Sequence, residues 1–287
     1  MTAALLWLLT TVLAAAAVPA GWAQIHLVDQ QGYAALAERA AADPDLQAAS
    51  ASELTTQVGR LGFNVDPAAV GRIANAYTVS SRFPGQFALA NGFAHRWLFT
   101  DSVGSDVDAG GRWVIDFAPM LGDAAFAQTL TDYSITVPSA VPIPLTDNAP
   151  AVLRPGALQS VGHWGPWVSI GLTVLAATSA LLMLIVSTNR SKGLVALGVS
   201  ALLVGAAGWA AIELANSYVN SALDNTSGNT RRIAEAMIAT AQDSMHQWLT
   251  VALIVGGGLV IVGVIVSLLA SLIDPTRGAG TRRPAQS

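Results

Sequence analysis

The stretch LTVALIVGGGLVIVGVIVSLLASLI, residues 249–273, contains no ionisable side chain. A helix needs about 20 apolar residues to cross roughly 30 Å of hydrocarbon. A charge at the middle of such a helix costs ~2.5–3.5 kcal/mol even on a lenient insertion scale. A clean run of this length, apolar on every side, therefore predicts a membrane span rather than a buried helix of a soluble core. Upstream, Trp167–Val186 and Leu194–Ile212 are two further runs without a charged side chain. Near the N-terminus, Leu5–Val18 is apolar and no charge precedes Asp29. That segment reads as an uncleaved anchor. A cleaved signal is the alternative, with small-residue contexts at Ala20 and Ala23, but Met1–Ala4 lacks the usual basic residues.

Sidedness follows from Arg and Lys in the short connections. Arg190 and Lys192 fall between the second and third spans, and Arg277, Arg282 and Arg283 follow the last. Both regions are thus expected in the cytoplasm, and four spans put the N-terminus there too. Trp22, Trp164, Trp167 and Trp248 then fall at the opposite interface, where amphipathic indoles are favoured as anchors. The expected order is an N-terminal span over 1–23, an extracytoplasmic domain over 24–163 and a second span over 164–187. A cytoplasmic loop over 188–193 and a third span over 194–215 follow. An extracytoplasmic helical hairpin over 216–247, a fourth span over 248–273 and a cytoplasmic tail over 274–287 complete it. The location is a bacterial cytoplasmic membrane, with the bilayer itself as one partner. Small residues recur every fourth position on three spans: Ser169, Thr173 and Ala177; Ala207, Ala211 and Ala215; Gly263, Ser267 and Ser271. Such stripes favour close helix packing.

The large domain is expected to be α+β, helices first and a small sheet after. Asp43-Pro44 and Asp66-Pro67 pair an N-cap with proline at the first helical position. Leu46, Leu54, Val58 and Leu61 share one helical stripe before Gly62, and Val70, Ile73 and Tyr77 share another. A third helix over Pro84–Phe99 is expected to bury Phe87, Ala94 and Leu98. Arg112–Phe117 alternates like a half-buried strand, and the proline-broken Ile135–Leu145 can be only an edge strand. In the hairpin, Thr230 is a plausible N-cap, and Ile233, Met237, Ala241, Met245 and Trp248 make an apolar stripe fit to pack on the large domain or a partner.

Composition closes off several chemistries. Of the 287 residues 11% are charged and 53% apolar, with net charge −4 and 13 Arg beside the single Lys192. No basic stripe marks a nucleic-acid partner. With no cysteine, disulfides, thiolate metal sites and a Cys nucleophile are impossible. His26, His95, His163 and His246 lack zinc-protease spacing, and His95 reads as a structural histidine. Asp101, Asp106 and Asp108 before Gly110-Gly111 suggest a calcium loop. Its twelfth position would be Phe117, however, where a bidentate Glu is needed, and a turn explains the residues better. No nucleophile elbow, phosphate loop or dinucleotide fingerprint occurs. Glu213 and Asp274 lie at span ends, which argues against an ion relay. No catalytic, cofactor-binding or metal residue is expected, and no cofactor.

The residues Ala90-Asn91 and Ala94-His95, then Gly111-Arg112-Trp113-Val114-Ile115-Asp116-Phe117-Ala118-Pro119 and Ile135-Thr136-Val137-Pro138, resemble a family of uncharacterised actinobacterial membrane proteins. The likeness covers most of residues 1–215 in order and layout. It implies an N-terminal span, an extracytoplasmic domain that starts helical and further spans near the C-terminus. It implies no reaction and no site residue. The expected function is that of a non-catalytic envelope protein, a scaffold or accessory subunit that binds a membrane or envelope protein through its outer domain. A small-ligand or lipid-binding sensor, an envelope hydrolase and a pore or transporter subunit are the alternatives.

Overall fold

Apolar sequence becomes helix in four places long enough to cross a membrane: Thr2–Val28, Gln159–Val186, Arg190–Leu223 and Gly228–Ala270. The computed structural model describes residues 2–60, 66–100, 156–187, 189–224 and 228–273, and the short pieces 105–107, 113–116, 124, 128, 131–132 and 142–144. In chain order the helices are α1 (Thr2–Ala23, continued by a π-helical turn over Gln24–Val28), α2 (Gln30–Ala40), α3 (Pro44–Arg60), α4 (Pro67–Thr78) and α5 (Phe83–Phe99). They are followed by α6 (Gln159–Val186), α7 (Arg190–Leu223) and α8 (Gly228–Ile273). The 46 residues of α8 make a rod of about 69 Å, more than twice the hydrocarbon thickness of roughly 30 Å.

The chain divides into two units. The bundle unit holds the described parts of 1–21, 169–216 and 245–287. Its α7 and α8 meet along glycines that recur at seven-residue spacing. A Cβ on Gly198 would stand 2.6 Å from the Gly256 carbonyl oxygen, and one on Gly263 would stand 3.0 Å from the Ser191 carbonyl oxygen. Gly205 and Gly208 receive the Leu253 and Leu249 side chains in the same way. Without a solvent-driven hydrophobic force inside lipid, such close backbone approach is what holds spans together. The small-residue stripes expected from the sequence are only partly this seam. Ser169 and Gly263 are buried, but Thr173, Ala177, Ala207, Ala211, Ala215 and Ser267 are exposed, and the side chain of Ser271 lies outside the described residues. Alanine is too common in these spans for its spacing to mark a face.

The second unit holds the described parts of 22–168 together with 217–244. Asp43 and Asp66 cap α3 and α4 as their sequence predicts, accepting from Asp45 and Leu46 N–H, and from Ala68 N–H. Ala40, Ala41, Leu46 and Phe83 form the buried core, with Tyr77, Phe87, Ile233, Ala236 and Met237 packed against it. The apolar stripe of α8 thus closes the core built by α2, α3 and α5. Helix faces differ from expectation in detail. Leu54 and Ile73 are exposed, and the buried residues of α3 are Leu46, Ala49, Ser50 and Ala51. On α5 the buried residues include Phe83, Gln86, Phe93, His95 and Trp97, while Phe87, Ala94 and Leu98 are half-buried. With apolar side chains on several sides of α5, periodicity alone could not choose among them. Thr230 lies inside α8, whose first residue is Gly228 at φ +65°.

Three short backbone segments, β1 (Ser105–Val107), β2 (Trp113–Asp116) and β3 (Pro142–Pro144), pair antiparallel in the order β1-β2-β3. These ten residues do not amount to the expected sheet-bearing half of a domain. What is described is overwhelmingly helical, and the rest of 101–155 lies almost wholly outside the described residues. Asp101, Asp108, Gly110, Gly111, most of Ile135–Leu145, and the tail with Asp274, Arg277, Arg282 and Arg283 lie outside them as well.

Candidate functional site

The most organised polar cluster of the second unit lies where the first long helix ends. The π-turn closes through Asp29 N–H on the Gln24 carbonyl at 2.9 Å, and the chain breaks at Asp29, in extended conformation. Its carboxylate immediately caps α2 by accepting from Gly32 N–H at 2.8 Å. Helix reversal without a loop forces α2 against the turn it has just left. A Cβ on Gly32 would sit 1.6 Å from the Ile25 carbonyl oxygen, so only glycine fits.

Ending a helix leaves its last carbonyls without partners. One is satisfied from α5: the His95 Nε2–H donates to the Leu27 carbonyl oxygen at 2.9 Å. The imidazole is 6% exposed, stacks on Phe99 with centroids 4.2 Å apart and leans on Tyr33 at 5.1 Å. Tyr33 in turn donates to Asn91 Oδ1 at 3.4 Å. Burial lowers the His95 pKa below its ordinary 6.5, against the raising effect of the Leu27 and Val28 carbonyls and of Asp29. Burial also raises Tyr33. The ring is therefore a neutral pin tying α5 to the end of the first span, and the structural reading of His95 fits this geometry.

The remaining histidines have aromatic partners. His26 Nδ1–H donates to the Trp22 carbonyl at 3.0 Å, and its ring stacks on the Trp22 indole. His163 meets Trp164 edge-on, and His246 stacks on Trp209 at 4.0 Å. Among the described residues no three His, Cys, Asp or Glu gather in a way that could hold a metal ion.

The tryptophans fall into two kinds. Trp164 and Trp167 are 61% and 68% exposed on α6. Trp22 is buried, and its indole N–H reaches Ser244 Oγ at 3.2 Å. Trp248 is half-buried, 3.9 Å from where a Cβ on Gly21 would stand. Arg190 and Lys192 are both exposed at the start of α7.

Sequence reasoning passed over the polar groups of α1 in the bundle. Thr10 and Ser179 hydroxyls lie 2.8 Å apart and buried, Thr11 and Ser200 hydroxyls are also 2.8 Å apart, and Trp7 N–H donates to the Ala196 carbonyl at 3.0 Å. Three hydrogen-bonding side chains within five residues of an otherwise apolar helix were the available signal. They tie α1 to both α6 and α7. No known protein family, curated protein or solved structure matches this chain.

Proposed function

We propose that the protein is a non-catalytic scaffold or accessory subunit of the bacterial envelope, anchored by four spans and working through its second unit outside the cytoplasm. The resemblance to uncharacterised actinobacterial membrane proteins belongs to the same reading. The observation that carries it is the shared core of that unit. The hairpin residues Ile233, Ala236 and Met237 pack against Ala40, Ala41, Leu46 and Phe83, so chain from between the last spans is built into one body with the N-terminal helices. Its polar centre is a joint with a neutral, tied histidine, which suits a rigid platform better than a reacting group. The platform also carries apolar side chains at its surface, Val79 at 69% and Ile73 at 47% exposure. These exposed positions are where a partner contact can be probed.

Photo-crosslinking in intact cells tests this. A photoreactive residue replacing Val79 or Ile73 is expected to give adducts of discrete mass with one recurring protein. The same residue at Ile254, an exposed position of the bundle unit, is expected to give none with that protein. Lipid or self adducts alone at Val79 and Ile73 would overturn the scaffold reading.

A further inference from the structure

In the bundle unit, α7 and α8 converge at Gly263 and then leave an open groove of about 330 Å³ beside that contact. Val195, Ala196, Val264 and Leu268 supply apolar walls, while Ser191, Ser267 and Lys192 supply the polar lining. Val264 and Leu268 are 45% and 60% exposed on the face of a candidate span, so the groove opens where acyl chains lie. Lys192 is the only lysine of the chain. It stands three residues before Val195 on α7, at the end of the span, where headgroup phosphates lie. Arg190, two residues earlier, is exposed as well.

We propose that this groove is a binding site for one anionic phospholipid of the adjacent leaflet. Its phosphate sits at the Lys192 ammonium with the Ser191 and Ser267 hydroxyls as further donors, and the start of one acyl chain runs along Val195, Val264 and Leu268. The chemistry fits in three respects. An ammonium is a strong point-charge partner for phosphate. Basic pockets between spans near a membrane surface suit anionic headgroups. The volume is at the low end of small-molecule sites, ~300–1,000 Å³, which suits a headgroup and a few methylenes rather than a whole lipid. A second copy of the chain would have to cover an exposed lysine with an apolar helix, at a cost in desolvation.

The test uses the full-length protein in nanodiscs of mixed phosphatidylglycerol and phosphatidylcholine, with retained lipids read by native mass spectrometry. Phosphatidylglycerol is expected to be retained about fivefold over phosphatidylcholine, the discrimination of one basic contact. Lys192→Gln, an exposed change, is expected to abolish the preference. Ser267→Trp, which fills the groove and keeps the charge, is expected to abolish it too. Arg72→Gln in the second unit is expected to leave it intact. Trp7 supplies an independent optical readout, because its N–H bonds the carbonyl of groove residue Ala196. The part of the emission removed by Trp7→Phe should be quenched more by brominated phosphatidylglycerol than by brominated phosphatidylcholine. Equal retention of the two lipids overturns the proposal, as does displacement by water-soluble glycerol phosphate or a lipid-free dimer that buries Lys192.

Discussion

Gly32 and His95 are where single atoms decide the second unit. A methyl group at Gly32 cannot coexist with the Ile25 carbonyl oxygen 1.6 Å away. Gly32→Ala is therefore expected to cost at least the ~1–3 kcal/mol of ordinary overpacking. Faster hydrogen exchange across 24–40 and a lower unfolding temperature would register it. His95→Ala removes the donor to the Leu27 carbonyl and two ring contacts. Leaving a buried carbonyl unpaired costs ~1–3 kcal/mol, and the same exchange measurement should show the loss localised at the end of α1. The pH dependence has a definite sign. The folded pKa of His95 lies below 6.5, so between that folded value and 6.5 the unfolded chain binds the proton more readily. Stability from this group is complete above 6.5 and declines as pH falls toward the folded value. A wild-type unfolding midpoint that drops on acidification through this window, and a flatter profile in His95→Gln, are the expected results.

Among elements, the α7–α8 seam offers an internal control. Gly256, Gly257 and Gly258 are consecutive, yet only the first faces α7. A Cβ on Gly256 would stand 2.9 Å from both the Gly198 carbonyl oxygen and the Leu202 nitrogen, while the other two meet nothing within 4 Å. Gly256→Val is expected to separate the helices and lower detergent-resistant thermal stability by several degrees, with Gly257→Val and Gly258→Val near wild type. The hydroxyl pair Thr10–Ser179 is worth less. Interhelical hydrogen bonds in lipid average ~0.6 kcal/mol, and Ser179 keeps the Leu6 carbonyl at 3.4 Å as a second acceptor, so Thr10→Ala should lower stability only slightly. The seam also marks where reading the sequence runs out. The spans themselves were legible because hydropathy over 20 residues is a property of composition. Their contacting faces were not, because a helix apolar all round has no face to read. The Ala207, Ala211 and Ala215 stripe pointed outward, and the seven-residue glycine spacing at 198 and 205, and at 256 and 263, was the better sign. Caps at Asp43 and Asp66 were legible because their chemistry is local. The Leu27–His95 bond joins residues 68 apart, and no local pattern announces it.

For the whole molecule, the absence of cysteine makes sidedness directly measurable, since any introduced thiol reports alone. Ser52→Cys, exposed on α3, is expected to react with a membrane-impermeant maleimide in intact cells. Asn189→Cys, exposed between α6 and α7, is expected to react only after lysis. The opposite pattern would invert the assigned topology. The second unit takes its core from chain positions far apart, Ala40, Leu46 and Phe83 on one side and Ile233 and Met237 on the other. At ~5–20 residues per second of synthesis, the later residues are made roughly 8–30 s after Phe83, with two membrane spans to be inserted in the interval. The earlier helices must wait that long with their apolar side open, an interval in which a holding chaperone would act and a ribosome stalled before residue 233 would leave a half-built product for proteases.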